Sequence, residues 1–209
     1  MRSAVEARCR RGEPESSPAA TLLALFEEAG QARTILIRRA VALPVHPGEI
    51  GLPGGRAHPG ESMVAAALRE THEEVGIDPA SVEVIGWLDR VVGRTSGSIA
   101  TPIVGLLAGR PELVADPVEV ESTFDVALAD LLADGVFREE RWETPAAGPN
   151  AMPLAQDRPV YFFELPGATV WGMTARVLRQ LLVLVTGRRV QPQSGPPPER
   201  EGTTPPAPA

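Results

Sequence analysis

Three closely spaced glutamates in one predicted helix constrain this chain more than any other feature. Glu70, Glu73 and Glu74 follow Arg69 within GRAHPGESMVAAALRETHEEVGI, the segment from residue 55 to 77. Apolar residues recur through this segment at helical spacing, so we predict an amphipathic helix. Residues three and four positions apart are neighbours on a helix surface, and the three carboxylates are therefore expected to share one face.

Clustered carboxylates of this kind have two interpretations. On an ordinary surface helix they form a solvated acidic face and do nothing more. Hard oxygen ligands in such a cluster also suit Mg²⁺ or Mn²⁺, above all where substrate phosphates complete the coordination. Arg69 can pair with Glu73, four residues further on, and hold the carboxylate array in one orientation.

Glycines and prolines on both sides of the helix predict a loop–helix–loop unit. The clusters PGG at 53–55 and HPG at 58–60 allow tight turns and close backbone approach to a ligand. Ser62 stands where it can cap the start of the helix, and Gly76 where it can end it.

The spacing of these residues resembles the signature of the Nudix hydrolase family. The family pattern G-x5-E-x7-R-E-U-x-E-E-x-G-U, with U a bulky aliphatic residue, fits from Gly55 through Glu61 and Arg69 to Ile77. One position departs, because Thr71 occupies the first aliphatic site. The resemblance implies an α/β fold, the Nudix-type α/β/α sandwich with a mixed β-sheet, and metal-dependent cleavage of a diphosphate linkage.

The resemblance also implies roles for individual residues. Glu70 and Glu74 are the firmest metal ligands, and Glu73 is either a third ligand or a general base. Arg69 and Glu73 form the expected catalytic set, and Mg²⁺ or Mn²⁺ is the expected cofactor. Such an ion would neutralise the diphosphate oxygens and lower the pKa of a bound water for attack on phosphorus.

Segments outside the signature are similar to those of the coenzyme A diphosphatase subfamily. Downstream, TPIVG at 101–105 and VWGMTA at 170–175 look like segments of that subfamily. Upstream, Ala40 departs from the usual serine and Leu52 from the usual phenylalanine. The rest of the upstream similarity runs from ILIRR at 35–39 through Leu43, His46 and Gly48 into PGG at 53–55.

This similarity implies coenzyme A or a derivative as substrate, with 3′,5′-ADP and 4′-phosphopantetheine as products. We expect Arg39, Gly54 and Gly55 to contact the substrate. Arg39 is assigned to the 3′-phosphate, away from the diphosphate, because an arginine fork binds phosphate in bidentate geometry; the alternative is a surface arginine on an edge strand. Two other functions stay open: the same chemistry on another nucleoside diphosphate derivative (ADP-ribose or NADH), and a non-catalytic binding module of the Nudix fold.

Charge and cysteine content limit the partners. A net charge of −7 provides no basic field, so we expect a small-molecule nucleoside diphosphate as partner and neither nucleic acid nor membrane. Cys9 is the only cysteine, which excludes an intrachain disulfide and favours a reducing, cytoplasmic compartment. No apolar run reaches the ~18 residues that a membrane span needs. The oligomeric state stays open.

The chain divides into three expected parts. Residues 1–17 are a flexible N-terminal lead, residues 18–189 the Nudix hydrolase domain, and residues 190–209 a disordered proline-rich tail with little apolar surface to bury. Within the domain we predict strands at 20–27, 34–38, 81–88, 98–107 and 160–165, and further helices at 125–133 and 174–186.

Overall fold

The computed structural model describes residues 5–93, 98–141 and 159–188, so the expected proline-rich tail lies outside the described residues. The strands are β1 (Ala19–Glu28), β2 (Gln31–Arg39), β3 (Ile50–Gly51), β4 (Gly54–Arg56), β5 (Glu83–Trp87), β6 (Val91–Val92), β7 (Ile99–Leu106), β8 (Val120–Ala127), β9 (Phe137–Glu140), β10 (Val160–Leu165) and β11 (Ala168–Trp171). The helices are α1 (Met63–Val75) and α2 (Gly172–Thr186), with 3-10 turns at Pro79–Ser81 and Asp130–Leu132. In the described parts of the chain, no helix is long and apolar enough to cross a membrane.

The larger sheet is mixed, as the sequence predicts. Its central order is β3-β2-β1-β7-β5, with β8 also paired to β2, β4 to β1, and β6 to β7. Strands β1 and β7 run parallel, in a register that pairs Ala19 with Ala100 and Leu25 with Leu106. The other strand pairs of this sheet are antiparallel. A second, three-stranded sheet has the order β11-β10-β9.

Both faces of the larger sheet are covered. Side chains alternate between the faces of a strand, and on β1 the alternation separates two apolar clusters. Leu22 and Phe26 are buried in the cluster that contains the apolar face of α1. Leu23 and Leu25 are buried in the other cluster, which contains the apolar face of α2. The fold is therefore the α/β/α arrangement that the resemblance implies.

Helix α1 begins and ends where its capping residues predict. The Ser62 side chain accepts a hydrogen bond from the Ala65 amide at 3.1 Å, and Gly76 closes the helix with a φ of 75° in the left-handed region. Thr71, which departs from the aliphatic pattern, is buried and donates its hydroxyl to the Ala67 carbonyl at 2.7 Å. Because the helix itself satisfies that hydroxyl, the departure leaves no unpaired polar group.

The prediction of a helix at residues 125–133 is wrong. Strand β8 continues to Ala127 and pairs antiparallel with β2, and Asp125 forms an ion pair with Arg33 across the two strands. Only Asp130–Leu132 forms a single 3-10 turn. The apolar spacing of this segment suits a helix, but β2 supplies a ladder of backbone partners that local spacing cannot reveal.

The N-terminal segment packs on the domain from residue 5 onward. Val5 is fully buried, and Cys9 is 9% exposed, with the pKa of its thiol raised by burial. Arg10 and Trp87 exchange two backbone hydrogen bonds, of 3.0 and 3.1 Å. Part of the expected flexible lead therefore has tertiary contacts, because its apolar residues complete the edge of the core beside β5.

Candidate active site

Helix α1 presents two of its glutamates to strand β4. The backbone amide of Gly54 donates a hydrogen bond to Glu74 Oε2 at 2.8 Å. The Glu70 carboxylate occupies the space above Gly55, where any Cβ would overlap it. Strand β4 is held in turn by β1, which pairs Thr21 with Gly54. The two glycines predicted to contact substrate thus let backbone and carboxylates approach each other closely.

Glu74 is the most unusual of these carboxylates because it is almost completely buried. Its exposed fraction is 2%, and burial raises its pKa from the ordinary 4.5 to about 7. The Gly54 hydrogen bond and the guanidinium of Arg39 lower the pKa, but less than burial raises it. Arg39 Nη1 lies 3.7 Å from Glu74 Oε1, and the buried Arg39 Nε has no hydrogen-bond partner among the described residues.

Arg69 connects four residues in one hydrogen-bond network. Its Nε lies 2.9 Å from Glu61 Oε1, and its Nη1 lies 2.9 Å from both Glu70 and Glu73. Its Nη2 donates to the Arg56 carbonyl at 3.0 Å. The pairing of Arg69 with Glu73 is the one that helical spacing predicts. The Arg69 guanidinium is also the main reason that the pKa of Glu61 falls to about 2.

Glu73 is more exposed than the other two glutamates. Its side chain is 56% exposed, against 17% for Glu70, and it contacts Arg69 rather than β4. At ~100° per residue, Glu70 lies between the other two around the helix axis, about 40° from Glu74 and about 60° from Glu73, so Glu73 and Glu74 are about 100° apart. Within the described ranges, no group of three acidic, histidine or cysteine side chains is arranged to hold a metal ion.

Glu70 and Glu74 nevertheless fit a divalent cation. Both are hard oxygen donors directed at the same backbone, and Glu74 is a buried carboxylate whose charge its neighbours compensate only in part. Mg²⁺ is usually held by one or two carboxylates, with waters and substrate phosphates completing its shell. The pair therefore suits a metal shared with substrate better than an all-protein cage.

A cavity of about 210 Å³ opens beside Arg39. It is lined by residues from two distant parts of the chain, 46–52 in the loop and strand before β4, and 171–174 at the start of α2. Both ranges overlap the segments outside the Nudix signature from which the substrate is predicted. Sequence reasoning did not identify Thr21 or Val91, which also line the cavity, because only the sheet brings them there.

His46 and Trp171 have both structural contacts and a place in the cavity wall. His46 has a φ of 56°, and its Nδ1 lies 3.0 Å from Glu49 Oε2. Trp171 stacks on Phe162, with ring centroids 6.4 Å apart. Each therefore supports the local fold and forms part of the cavity wall.

The assignment of Arg39 to the 3′-phosphate requires a position away from the diphosphate, and the structure places Arg39 beside Glu74 instead. Its guanidinium adjoins Glu74, so it belongs at the carboxylate end of the cavity. The register of β2 next to β3 and β8 brings it there, and this register is not visible in the local sequence.

Comparison with known proteins shows the family. Residues 16–147 match the model of the NUDIX domain, and the chain belongs to the Nudix hydrolase family, enzymes that act on pyrophosphate bonds. It is 30% identical over 178 residues to Nudix hydrolase 3 of Caenorhabditis elegans, covering 81% of this chain and 74% of that protein. It is 34% identical over 148 residues to the uncharacterized Nudix hydrolase NudL of Photorhabdus laumondii, covering 70% and 74%.

A solved structure agrees with the fold. The MutT/nudix family protein of Enterococcus faecalis superposes with a TM-score of 0.52 over 86% of this chain and 66% of that chain. Its sequence identity of 18% makes this a similarity of fold alone.

Proposed function

We propose that this chain hydrolyses the diphosphate linkage of coenzyme A or a derivative, giving 3′,5′-ADP and 4′-phosphopantetheine. The observation that carries the proposal is the meeting of residues 46–52 and 171–174 in one cavity. Both segments are similar to the coenzyme A diphosphatase subfamily. The cavity begins at Arg39, which lies 3.7 Å from Glu74, so a substrate bound there extends from the carboxylates into these two segments.

The carboxylates of α1 supply the metal site in this proposal. Glu70 and Glu74 would hold Mg²⁺ or Mn²⁺, and the bound ion would offset diphosphate charge and activate water. Arg69 acts as a positioning residue, because it binds Glu61, Glu70 and Glu73 at once and so fixes their orientation. Glu73 serves either as a further ligand or as the general base.

Arg39 and Gly54 complete the proposed diphosphate end. The Gly54 amide holds one oxygen of Glu74 and leaves the other oxygen directed toward Arg39. The Arg39 Nε has no hydrogen-bond partner among the described residues, and in this proposal it donates to a phosphate oxygen. A planar fork in this position would bind the charge that develops as the linkage breaks.

A substrate panel tests the proposal. The values of kcat/KM with Mg²⁺ are compared for coenzyme A, NADH, ADP-ribose and a dinucleoside polyphosphate. We expect coenzyme A to exceed the others by at least about tenfold. A higher value for NADH or ADP-ribose would assign the enzyme to that substrate, and no turnover of any of them would favour a binding module.

A further inference from the structure

We propose that the cavity beside Arg39 receives the uncharged arm of the substrate, which in coenzyme A is the pantetheine arm, and rejects the phosphorylated nucleoside side. This inference rests on the proposed function and deepens it by orienting the substrate. It assigns the cavity-lining residues of α2 to recognition of one arm of the substrate.

The position of the cavity fits a group attached directly to the diphosphate. Arg39 stands between the cavity and Glu74, with its Nη1 3.7 Å from Glu74 Oε1. Thr21, another wall residue, pairs in the sheet with Gly54, whose amide holds Glu74. The wall is therefore continuous with the backbone that supports the carboxylates.

The size of the cavity fits part of a substrate. Its volume of about 210 Å³ is below the ~300–1,000 Å³ of sites that enclose whole ligands of drug size. A slender chain can enter such a space while the rest of the molecule remains at the diphosphate end or outside.

The walls fit a chain of methyl, methylene and amide groups. Leu52, Val91, Met173 and Val177 provide apolar surface along the cavity. The Thr21 hydroxyl is buried without a hydrogen-bond partner among the described residues. A buried hydroxyl in this state gains a partner when a ligand amide enters, which favours a ligand with amide groups over a plain hydrocarbon.

Charge decides which arm of coenzyme A enters. Glu49 places a carboxylate in the wall, and its partner there is His46, 3.0 Å away. Among the described wall residues the arginine is Arg39, which lies at the Glu74 end. A 3′-phosphate that entered the cavity would meet the Glu49 carboxylate, and the described wall residues include no second arginine to offset it, whereas the pantetheine arm has no charge.

Binding of the two products separates the arms without any need for turnover. Met173→Trp fills the cavity from the first turn of α2, and Thr174→Leu is a smaller second filling variant in case the first does not fold. Leu132→Trp, at an exposed site outside the cavity, is the matched control. Dissociation constants of 4′-phosphopantetheine and 3′,5′-ADP are measured by calorimetry with Mg²⁺ present.

We expect each filling variant that folds to raise the dissociation constant of 4′-phosphopantetheine by about tenfold or more. The constant for 3′,5′-ADP should stay within about twofold, and the control should change neither. Equal weakening of both products, selective weakening of 3′,5′-ADP, or no binding of 4′-phosphopantetheine would overturn the assignment.

The same samples keep this inference distinct from the proposed function. Wild-type turnover of coenzyme A with unchanged 4′-phosphopantetheine binding in the filling variants rejects the cavity assignment alone. Failure of wild type to cleave coenzyme A rejects the proposed function, while cavity-dependent binding of 4′-phosphopantetheine would still support the assignment of the arm.

Discussion

The ionisable carboxylate of Glu74 is almost completely buried, and its ionisation therefore lowers the stability of the metal-free protein. Its pKa of about 7 lies above the ordinary 4.5, so between these values the folded chain binds the proton more tightly than the unfolded chain. The resulting stabilisation is fully present below about pH 4.5 and is lost as the pH rises through 7.

The stability of the metal-free protein should therefore depend on Glu74. With a chelator present, we expect Glu74→Gln to melt at a higher temperature than wild type at pH 8 and close to wild type at pH 5. Glu27→Gln, at an exposed position on β1, should track wild type at both pH values. Thermal unfolding followed by circular dichroism measures this, and parallel pH profiles for wild type and Glu74→Gln would show that Glu74 is not the group that titrates.

Arg39 should act on the diphosphate, because it adjoins Glu74. We expect Arg39→Ala to lower kcat/KM for coenzyme A and dephospho-coenzyme A alike, by about 1.5–3 kcal/mol, the contribution of a hydrogen bond to a charged group. Arg39→Lys should restore only part of the loss, since lysine lacks the planar fork. The comparison needs kcat/KM for both substrates in each variant, and a loss confined to coenzyme A would return Arg39 to the 3′-phosphate.

At the residue scale, the sequence predicts contacts between residues that are close together in the chain. The pairing of Arg69 with Glu73 follows from a separation of four residues in one helix. The burial of Glu74 and the exposure of Glu73, by contrast, depend on where β4 lies relative to α1. The position of Arg39 depends likewise on β2 and its neighbours, and no short pattern encodes such contacts.

The contact between α1 and β4 requires a residue without a side chain at position 55. A Cβ on Gly55 would overlap the Glu70 carboxylate, which must then move away from the site. We expect Gly55→Ala to reduce kcat by at least about tenfold and to raise the Mg²⁺ concentration needed for half-maximal rate. Gly109→Ala is the matched control, because a Cβ there has no heavy atom within 4 Å. Equal rates for Gly55→Ala and the control would mean that Glu70 can shift without consequence.

At the element scale, the sequence predicts those helices and strands whose capping residues or apolar pattern lie within the element or directly beside it. Helix α1 has its capping residues beside it, and β1, β2 and β7 are apolar runs of strand length. Strand β8 has a helical apolar spacing at its end and becomes a strand only because β2 pairs with it. The short strands β3 and β4 lie in a segment rich in proline and glycine that predicts a loop. They become strands because β3 pairs with β2 and β4 pairs with β1.

At the scale of the whole molecule, the N-terminal segment from residue 5 onward packs on the domain. Val5 is fully buried and Arg10 exchanges backbone hydrogen bonds with Trp87, so we expect deletion of residues 1–10 to destabilise the protein. Burial of one valine contributes about 1.5–3 kcal/mol, and a domain of this size loses roughly 2–4 °C of Tm per kcal/mol. Calorimetry should therefore show a decrease of several degrees. An unchanged Tm would mean that this segment behaves as the flexible lead that its composition suggests.

The central claim for the whole molecule is that diphosphate cleavage depends on a metal held at the buried end of α1. The most direct measurement is kcat for coenzyme A at saturating Mg²⁺ in wild type, Glu74→Gln and the exposed control Glu27→Gln, with folding checked by circular dichroism. We predict turnover by wild type and the control, and a loss of at least about two orders of magnitude in folded Glu74→Gln. Near-normal Mg²⁺-dependent turnover by Glu74→Gln would contradict the claim and place the metal elsewhere.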